Sequence, residues 1–262
     1  MIVPTLMLAA ITFWLGRSAE QRLVARSSRL LFLAISVVLA VPGVVYVLYY
    51  THLFDRAAWF YELRTILGSE LLASGIGVLA GFLYSWSAPE GKGEKLAIPA
   101  ALVVLTFIPF MKPLIAPLDF STLHDRCDEE ACLQSTPSTC GPTSAANLSK
   151  LFGVVTSEKE LARAAYTYRG GTENWYLARA LNQRGIATRV VIQNETDAPP
   201  APSIAGVVLP GGAGHFIAVV SITDDAVTVI DPLVGKLIIP KSSLHQRYKF
   251  TGYFLVLYPL LM

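Results

Sequence analysis

Long runs of apolar residues without a charged side chain dominate the first part of this chain. They cover residues 1–16, 30–50, 71–87 and 96–111. The second run has 21 residues, and a helix of about that length crosses the hydrocarbon core of a bilayer. Any one run could instead be a buried helix of a soluble core. Four in succession, with little between them to form a water-facing surface, predict an α-helical membrane part of about four transmembrane helices.

Beyond residue 119 the apolar residues are spaced first as in helices and then as in strands. Ala145 and Leu148 recur at helical spacing after Pro142, which suits the first turn of a helix. Ser157 and Glu160 have the form of a capping box that begins a second helix. Extended, β-branched stretches follow at residues 187–192, 205–209, 215–222, 226–230, 236–239 and 252–258. Helices followed by an antiparallel sheet are the order of an α+β domain.

The composition supports a division into a membrane part, residues 1–118, and a second domain, residues 119–262. Of the 262 residues, 53% are hydrophobic and only 15% are charged, against a usual charged share of about 25%. The shortage lies in the first part, because residues 1–120 hold 16 charged side chains and residues 121–262 hold 24. The net charge of +2 gives no reason to expect nucleic acid as a partner.

The basic residues between the apolar runs predict an orientation in the membrane. The first connection carries Arg17, Arg22, Arg26 and Arg29 against one acid, Glu20. The third carries Lys92 and Lys95, and the second carries Arg56 and Arg64 together with Asp55 and Glu62. The positive-inside rule therefore places the first and third connections in the cytoplasm. We expect a multi-pass protein of the cytoplasmic membrane, in contact with lipid, whose second domain is exocytoplasmic.

Two glycines in the third apolar run, Gly77 and Gly81, form a GxxxG pattern. This pattern allows two membrane helices to approach closely.

Cys140 is the first candidate for chemistry. It lies between a loop rich in Pro, Ser and Thr and the predicted start of a helix. The free N–H groups and the dipole at a helix N-terminus favour the thiolate, which is the nucleophilic form of cysteine. The alternative is a buried structural cysteine.

His215 and Asp231 are the candidates for a base and for the group that orients it. His215 begins a strand after a glycine-rich loop, and Asp231 ends the next strand of the same predicted hairpin. Two adjacent antiparallel strands bring these ends together, so the aspartate could hold the imidazole in its useful tautomer. Taken singly, His215 could be a core histidine, and Asp231-Pro232 could be an ordinary turn.

Gln134 precedes Cys140 by six residues. Its side-chain amide could complete an oxyanion hole with the backbone N–H of Cys140. Standing alone, Gln134 would be read as a polar loop residue.

Together, Gln134, Cys140-Gly141-Pro142, His215-Phe216 and Asp231-Pro232 resemble the bacteriocin-processing (double-glycine leader) peptidase family of papain-like cysteine peptidases. The resemblance covers roughly residues 133–257, about half of the chain. It implies a helical subdomain packed on an antiparallel sheet and a peptide or protein substrate. It assigns Cys140 as nucleophile, His215 as general base and acid, Asp231 as its orienting residue and Gln134 as oxyanion donor. It implies no cofactor.

The order of the parts differs from that of the best-known members of this family, in which the domain precedes an ABC transporter. Here the domain follows the apolar segments, and the sequence contains no GxxxxGK[ST] phosphate-binding loop.

Cys127 and Cys132 lie five residues apart, just before Gln134. In an oxidising compartment they would form a disulfide that braces the segment carrying the oxyanion donor. They could also be unrelated thiols. A zinc site is not expected, because a C-x4-C half-site lacks its other two ligands here.

Three hypotheses follow. The first is a membrane-anchored cysteine peptidase that cleaves a peptide or protein at the outer face of the membrane. The second is a non-catalytic papain-like binding module of a membrane receptor or assembly factor. The third keeps the nucleophile but directs it to cell-wall peptides or to acyl transfer.

Overall fold

The computed structural model describes residues 2–87 and 92–259, without the side chains of residues 92–95. Residues 88–91 of the third connection, and the side chains of Lys92 and Lys95, thus lie outside the described residues. The chain divides into two compact units. The helical unit contains Met1–Asp55 and Leu67–Met111, and the α+β unit contains Arg56–Ile66 and Lys112–Met262.

Three segments of the described chain are long and apolar enough to span a membrane. They are Ile2–Arg22 (helix α1), Arg26–Thr51 (α2, Arg26–Leu48, and a 3-10 turn) and Leu96–Ile115. The last contains most of α5 (Lys92–Phe107) and α6 (Met111–Ile115). The third predicted run is a 3-10 helix, Ser69–Gly75, continued by α4, Ile76–Ser87. It qualifies as a span only together with α3, Ala58–Thr65, as one broken segment.

Helices α1 and α4 touch through their backbones, as the GxxxG pattern predicts. A Cβ atom at Gly77 would collide with the carbonyl oxygen of Ala9, and one at Gly81 with that of Phe13. On the facing helix, a Cβ at Gly16 would collide with the carbonyl of Val78. Small residues at these positions therefore permit the close packing that stabilises helix pairs in lipid.

The α+β unit is built on a six-stranded antiparallel sheet of order β3-β8-β4-β5-β6-β7. Its strands are β3 (Ile186–Ile192), β4 (Ser203–Val208), β5 (Gly214–Ile222), β6 (Ala226–Asp231), β7 (Gly235–Pro240) and β8 (Lys249–Pro259). A separate small hairpin pairs β1 (Arg126–Cys127) with β2 (Cys132–Leu133). The helices are α3, α7 (Cys140–Ser149), α8 (Glu158–Ala164), α9 (Asn174–Asn182) and α10 (Lys241–Arg247). The predicted fold class, a helical part followed by an α+β domain, is confirmed.

The two faces of the sheet are covered by different helices. Ile217 and Val219 of β5 belong to a buried cluster that includes Leu244 of α10. Successive side chains of a strand point to opposite faces. Phe216 accordingly faces the other way, where its ring would lie 3.3 Å from a Cβ atom at Gly141 of α7. The sheet is thus the middle layer, and α7 reaches the beginning of β5.

The local signals for two helices are confirmed. Ser157 accepts a hydrogen bond from the backbone N–H of Glu160, whose side chain accepts one from the N–H of Ser157. Pro142 lies in the first turn of α7, as expected.

Candidate active site

Cys140 is the first residue of α7, with a side chain that is free of any disulfide and buried. At this position the side chain lies at the positive end of the helix dipole, where the backbone N–H groups of the first turn have no partners within the helix. Such a position stabilises negative charge. Ser144, one turn later, donates a hydrogen bond of 3.1 Å to the carbonyl oxygen of Phe216. This contact ties the helix that begins with Cys140 to the residue that follows His215.

His215 is the second residue of β5, and Asp231 is the last residue of β6. Both are 5% exposed. The ring Nε2 of His215 lies 2.9 Å from Oδ1 of Asp231. Since Asp231 occupies Nε2, Nδ1 is the ring nitrogen left to face Cys140, which interacts with the ring of His215. The hairpin therefore brings the two predicted residues together, as its antiparallel pairing requires.

The protonation of this pair follows from its partners. Burial lowers the pKa of His215, but the hydrogen bonds and charges of Asp231 and Cys140 outweigh it and raise the pKa to about 9. Burial raises the pKa of Asp231, yet hydrogen bonds from His215, the Leu233 N–H and Tyr248 lower it overall. The site therefore favours an imidazolium flanked by a carboxylate.

Tyr248 is a residue of the site that the sequence did not reveal. Its hydroxyl donates a 2.8 Å hydrogen bond to Oδ2 of Asp231, while Oδ1 accepts a 2.9 Å bond from the backbone N–H of Leu233. Burial and the neighbouring charge of Asp231 raise the pKa of Tyr248, so it remains a neutral donor. Nothing in the local sequence signals this role, because Tyr248 lies 17 residues beyond Asp231.

Gln134 is anchored next to the same strand end. Its backbone N–H donates to the carbonyl oxygen of Pro232 at 2.9 Å. Its side-chain Nε2 donates one hydrogen bond of 2.9 Å to the carbonyl oxygen of Thr136. An amide nitrogen has a second hydrogen to donate. Oε1 is buried without a hydrogen-bond partner among the residues that the structure describes.

The loop after Gln134 is held by a buried carboxylate. Glu158, 1% exposed at the start of α8, accepts hydrogen bonds from the backbone N–H of Ser135 at 2.8 Å and from its hydroxyl at 2.5 Å. The capping box predicts a helix start here, but no local pattern pairs Glu158 with a residue 23 positions away. The contact limits movement of the residue next to Gln134.

Cys127 and Cys132 form a disulfide across the β1–β2 hairpin. The expectation of a bridge rather than two thiols is thus confirmed, and neither sulfur is available as a zinc ligand. Asn147 of α7 fixes this hairpin, since its side chain accepts from the N–H of Cys132 at 2.7 Å and donates to its carbonyl at 2.9 Å. The bridge is thereby joined to the helix that begins with Cys140.

The other three histidines take no part in this arrangement. His52, in the helical unit, lies 3.1 Å from Asp55. His245 packs against Phe250 with 5.5 Å between ring centroids. The backbone N–H of His124 donates a hydrogen bond to the hydroxyl oxygen of Ser135.

Comparison with known proteins decides the family. The sequence profile of the peptidase C39 family matches residues 128–260. This chain belongs to the peptidase C39 family. The match includes Gln134, Cys140, His215 and Asp231. The resemblance to bacteriocin-processing peptidases is thereby confirmed.

The C39 domain also has relatives in two species of Methanothermobacter. It is 32% identical over 129 residues to an uncharacterized protein of Methanothermobacter marburgensis, covering 49% of this chain and 88% of that one. An uncharacterized protein of Methanothermobacter thermautotrophicus is 31% identical with the same coverage. Their names carry no assigned activity.

Solved structures similar to the C39 domain include two transporter peptidase domains. The peptidase domain of Streptococcus ComA, a bifunctional ABC transporter involved in quorum sensing, has 22% identity and a TM-score of 0.44. The similarity covers 50% of this chain and 99% of that domain. A double-glycine motif protease from an AMS/PCAT transporter, solved with its leader peptide, has 18% identity and a TM-score of 0.43. It covers 52% of this chain and 95% of that one.

Proposed function

We propose that this protein is a membrane-anchored cysteine peptidase that cleaves a peptide or protein at the outer face of the cytoplasmic membrane. One observation carries the proposal: Cys140 begins a helix beside the buried His215–Asp231 pair, with Nε2 and Oδ1 2.9 Å apart. Membership in the peptidase C39 family supports the reaction type. The reaction needs no metal and no cofactor.

In the proposed reaction, the thiolate of Cys140 attacks the carbonyl carbon of the scissile peptide bond. The imidazolium of His215 then gives its Nδ1 proton to the departing amine, and a thioester remains on Cys140. His215, now neutral, takes a proton from water as the water attacks the thioester. The acid product leaves, and the thiolate–imidazolium pair is restored. Asp231 holds the ring throughout, because its bond to Nε2 fixes which nitrogen faces the sulfur.

Gln134 is proposed as the oxyanion donor. The backbone N–H of Cys140 and the second amide hydrogen of Gln134 would donate to the oxygen that becomes negative in the tetrahedral intermediate. The anchoring of Gln134 by Pro232, and of Ser135 by Glu158, supports this role. Such donors act best when they are held in place before the reaction.

Two independent features support an exocytoplasmic position for the peptidase domain. The arginine-rich first connection favours the cytoplasm. After four spans, a cytoplasmic first connection leaves the domain outside. The Cys127–Cys132 disulfide favours an oxidising compartment.

The alternative is a papain-like module that binds a peptide without cleaving it. A thiol-reactive peptidyl probe separates the two, since only an activated Cys140 reacts quickly. Labelling that is no faster than for an ordinary thiol, in a folded protein, would favour the binding module. Cell-wall fragments assayed beside peptides would reveal a different amide substrate.

The direct test compares membrane and secreted proteins in cells that carry the natural chain or Cys140→Ala. We expect at least one protein to keep its uncleaved terminus in the variant, while the variant itself accumulates normally. His215→Ala should have the same effect, and His245→Ala, a histidine outside the site, should not. Unchanged termini in both Cys140→Ala and His215→Ala cells would refute the proposal.

A further inference from the structure

Residues 56–66 join two apolar segments along the chain, yet they pack with the peptidase domain. They belong to the same compact unit as residues 112–262. Phe60 of α3 is fully buried, and its ring lies 6.2 Å from that of Trp175 in α9. The ring of Tyr61 lies 5.3 Å from that of Tyr253 in β8. Aromatic side chains of this connection are therefore buried against the peptidase domain.

The C-terminal end of α3 is capped by a side chain of the peptidase domain. The guanidinium of Arg179, in α9, donates to the carbonyl oxygens of Arg64, Thr65 and Ile66 at 2.5, 3.2 and 2.9 Å. The last carbonyls of a helix have no partners within it and need such donors. In return, the guanidinium of Arg64 lies 4.4 Å from the ring centre of Trp175, within the range of a cation–π interaction.

Helix α3 also protects an edge of the sheet. Strand β3 is an outer strand, so one row of its backbone groups lacks a neighbouring strand. Glu62 accepts a 2.5 Å hydrogen bond from the N–H of Val190 in that row. At the surface, Arg56 forms an ion pair of 3.1 Å with Glu195. Three charged residues of the second connection, Arg56, Glu62 and Arg64, therefore contact the peptidase domain.

We infer that residues 56–66 form a permanent part of the peptidase domain, so that the second connection and the domain lie on the same side of the membrane. Between residues 66 and 112 the chain contains two apolar segments, Ser69–Ser87 and Leu96–Ile115. With α3 packed in the peptidase domain, the inference requires Ser69–Ser87 to cross the membrane without α3, so that two crossings return the chain to the side from which it started. The inference does not depend on peptidase activity.

The test uses the full chain with Cys140→Ala and one added cysteine at an exposed position. Leu53→Cys marks the second connection, Val155→Cys marks the peptidase domain and Val24→Cys marks the first connection; these residues are 67%, 97% and 93% exposed. A membrane-impermeant maleimide is applied to intact cells and to inside-out vesicles. We expect positions 53 and 155 to react from one side and position 24 from the other. Reaction of positions 53 and 155 from opposite sides would overturn the inference.

Hydrogen exchange of the full chain tests the docking itself. We expect the amides of α3 to exchange slowly, and Arg179→Ala to accelerate them at least tenfold while β4 and β5 stay protected. Arg189→Ala, an exposed arginine of β3, is the matched control and should leave α3 unchanged. Rapid exchange of α3 in the natural chain would contradict the inference even if Arg179→Ala failed to fold. Neither measurement reads peptidase activity, so failure here leaves the proposed function standing.

Discussion

His215 is buried and interacts with two groups that can both carry negative charge, Asp231 at Nε2 and Cys140. Burial alone would keep the imidazole neutral, because a low-dielectric site penalises the charged form. The two partners reverse this preference and raise the pKa of His215 to about 9. In the proposed reaction, this is the proton that the leaving amine receives.

The first prediction concerns the pH dependence of cleavage. We expect kcat/KM for a peptide substrate to fall as the pH rises through about 9, because the imidazolium of His215 is then lost. Asp231→Asn removes a group that raises this pKa, so the fall should move to lower pH. A pH–rate profile of both proteins is the measurement. An alkaline limb at the same pH in both would show that Asp231 does not set it.

The same shift predicts the direction of a stability change. The pKa of His215 in the folded state lies above its ordinary value of 6.5. Protonation therefore contributes fully to stability below about pH 6.5, and the contribution disappears as the pH rises through about 9.

The second prediction concerns Tyr248, whose hydroxyl bonds the second oxygen of Asp231. Tyr248→Phe removes one donor from a buried carboxylate, so the pKa of Asp231 should rise and the acid limb of kcat/KM should move to higher pH. The unpaired oxygen should also cost about 1–3 kcal/mol of stability. Tyr258→Phe, at a tyrosine that is 43% exposed, is the control. Profiles that coincide for Tyr248→Phe and the natural protein would exclude this role.

At the scale of elements, α7 links Cys140, the proposed nucleophile, at its beginning to the disulfide hairpin near its end. Cys140 is its first residue, and Asn147 makes both hydrogen bonds to the backbone of Cys132. Ser144 lies between them and binds the carbonyl oxygen of Phe216. One helix thus sets the position of the hairpin and of the beginning of β5 together.

The third prediction follows from this link. Asn147→Ala would leave a buried N–H and a carbonyl of Cys132 without partners, and we expect a loss of about 2–4 kcal/mol in the free energy of unfolding. Asn194→Ala, at an exposed asparagine, should change it little. Denaturant unfolding of the detergent-solubilised chain measures both. Equal stability of the two variants would mean that water replaces the lost side chain.

At the scale of the whole molecule, the three cysteines divide into one bridge and one free thiol. In an oxidising compartment, a denatured but unreduced sample should therefore react with one maleimide-polymer, at Cys140, and a reduced sample with three. A gel-shift assay on rapidly quenched cells counts them. Three reactive thiols without reduction would place the domain in a reducing compartment.

Several features of this protein follow from local sequence alone. Apolar runs predicted helices able to span a membrane, because lipid tolerates only a backbone that is bonded within itself. The change of apolar spacing predicted helices followed by an antiparallel sheet, and the Ser157–Glu160 capping box and the hairpin between β5 and β6 were found where expected. These features depend on neighbours within a few residues, which a sequence displays directly.

Only the tertiary structure revealed what depends on long-range contacts. Tyr248 bonds Asp231 from 17 residues away, and Glu158 bonds Ser135 from 23. Helix α3, read in the sequence as part of a membrane connection, packs on α9 across more than 100 residues. A buried polar group or a sheet edge is satisfied by whichever partner the fold brings near. Sequence position does not encode that partner, so these contacts became visible only when the chain was folded.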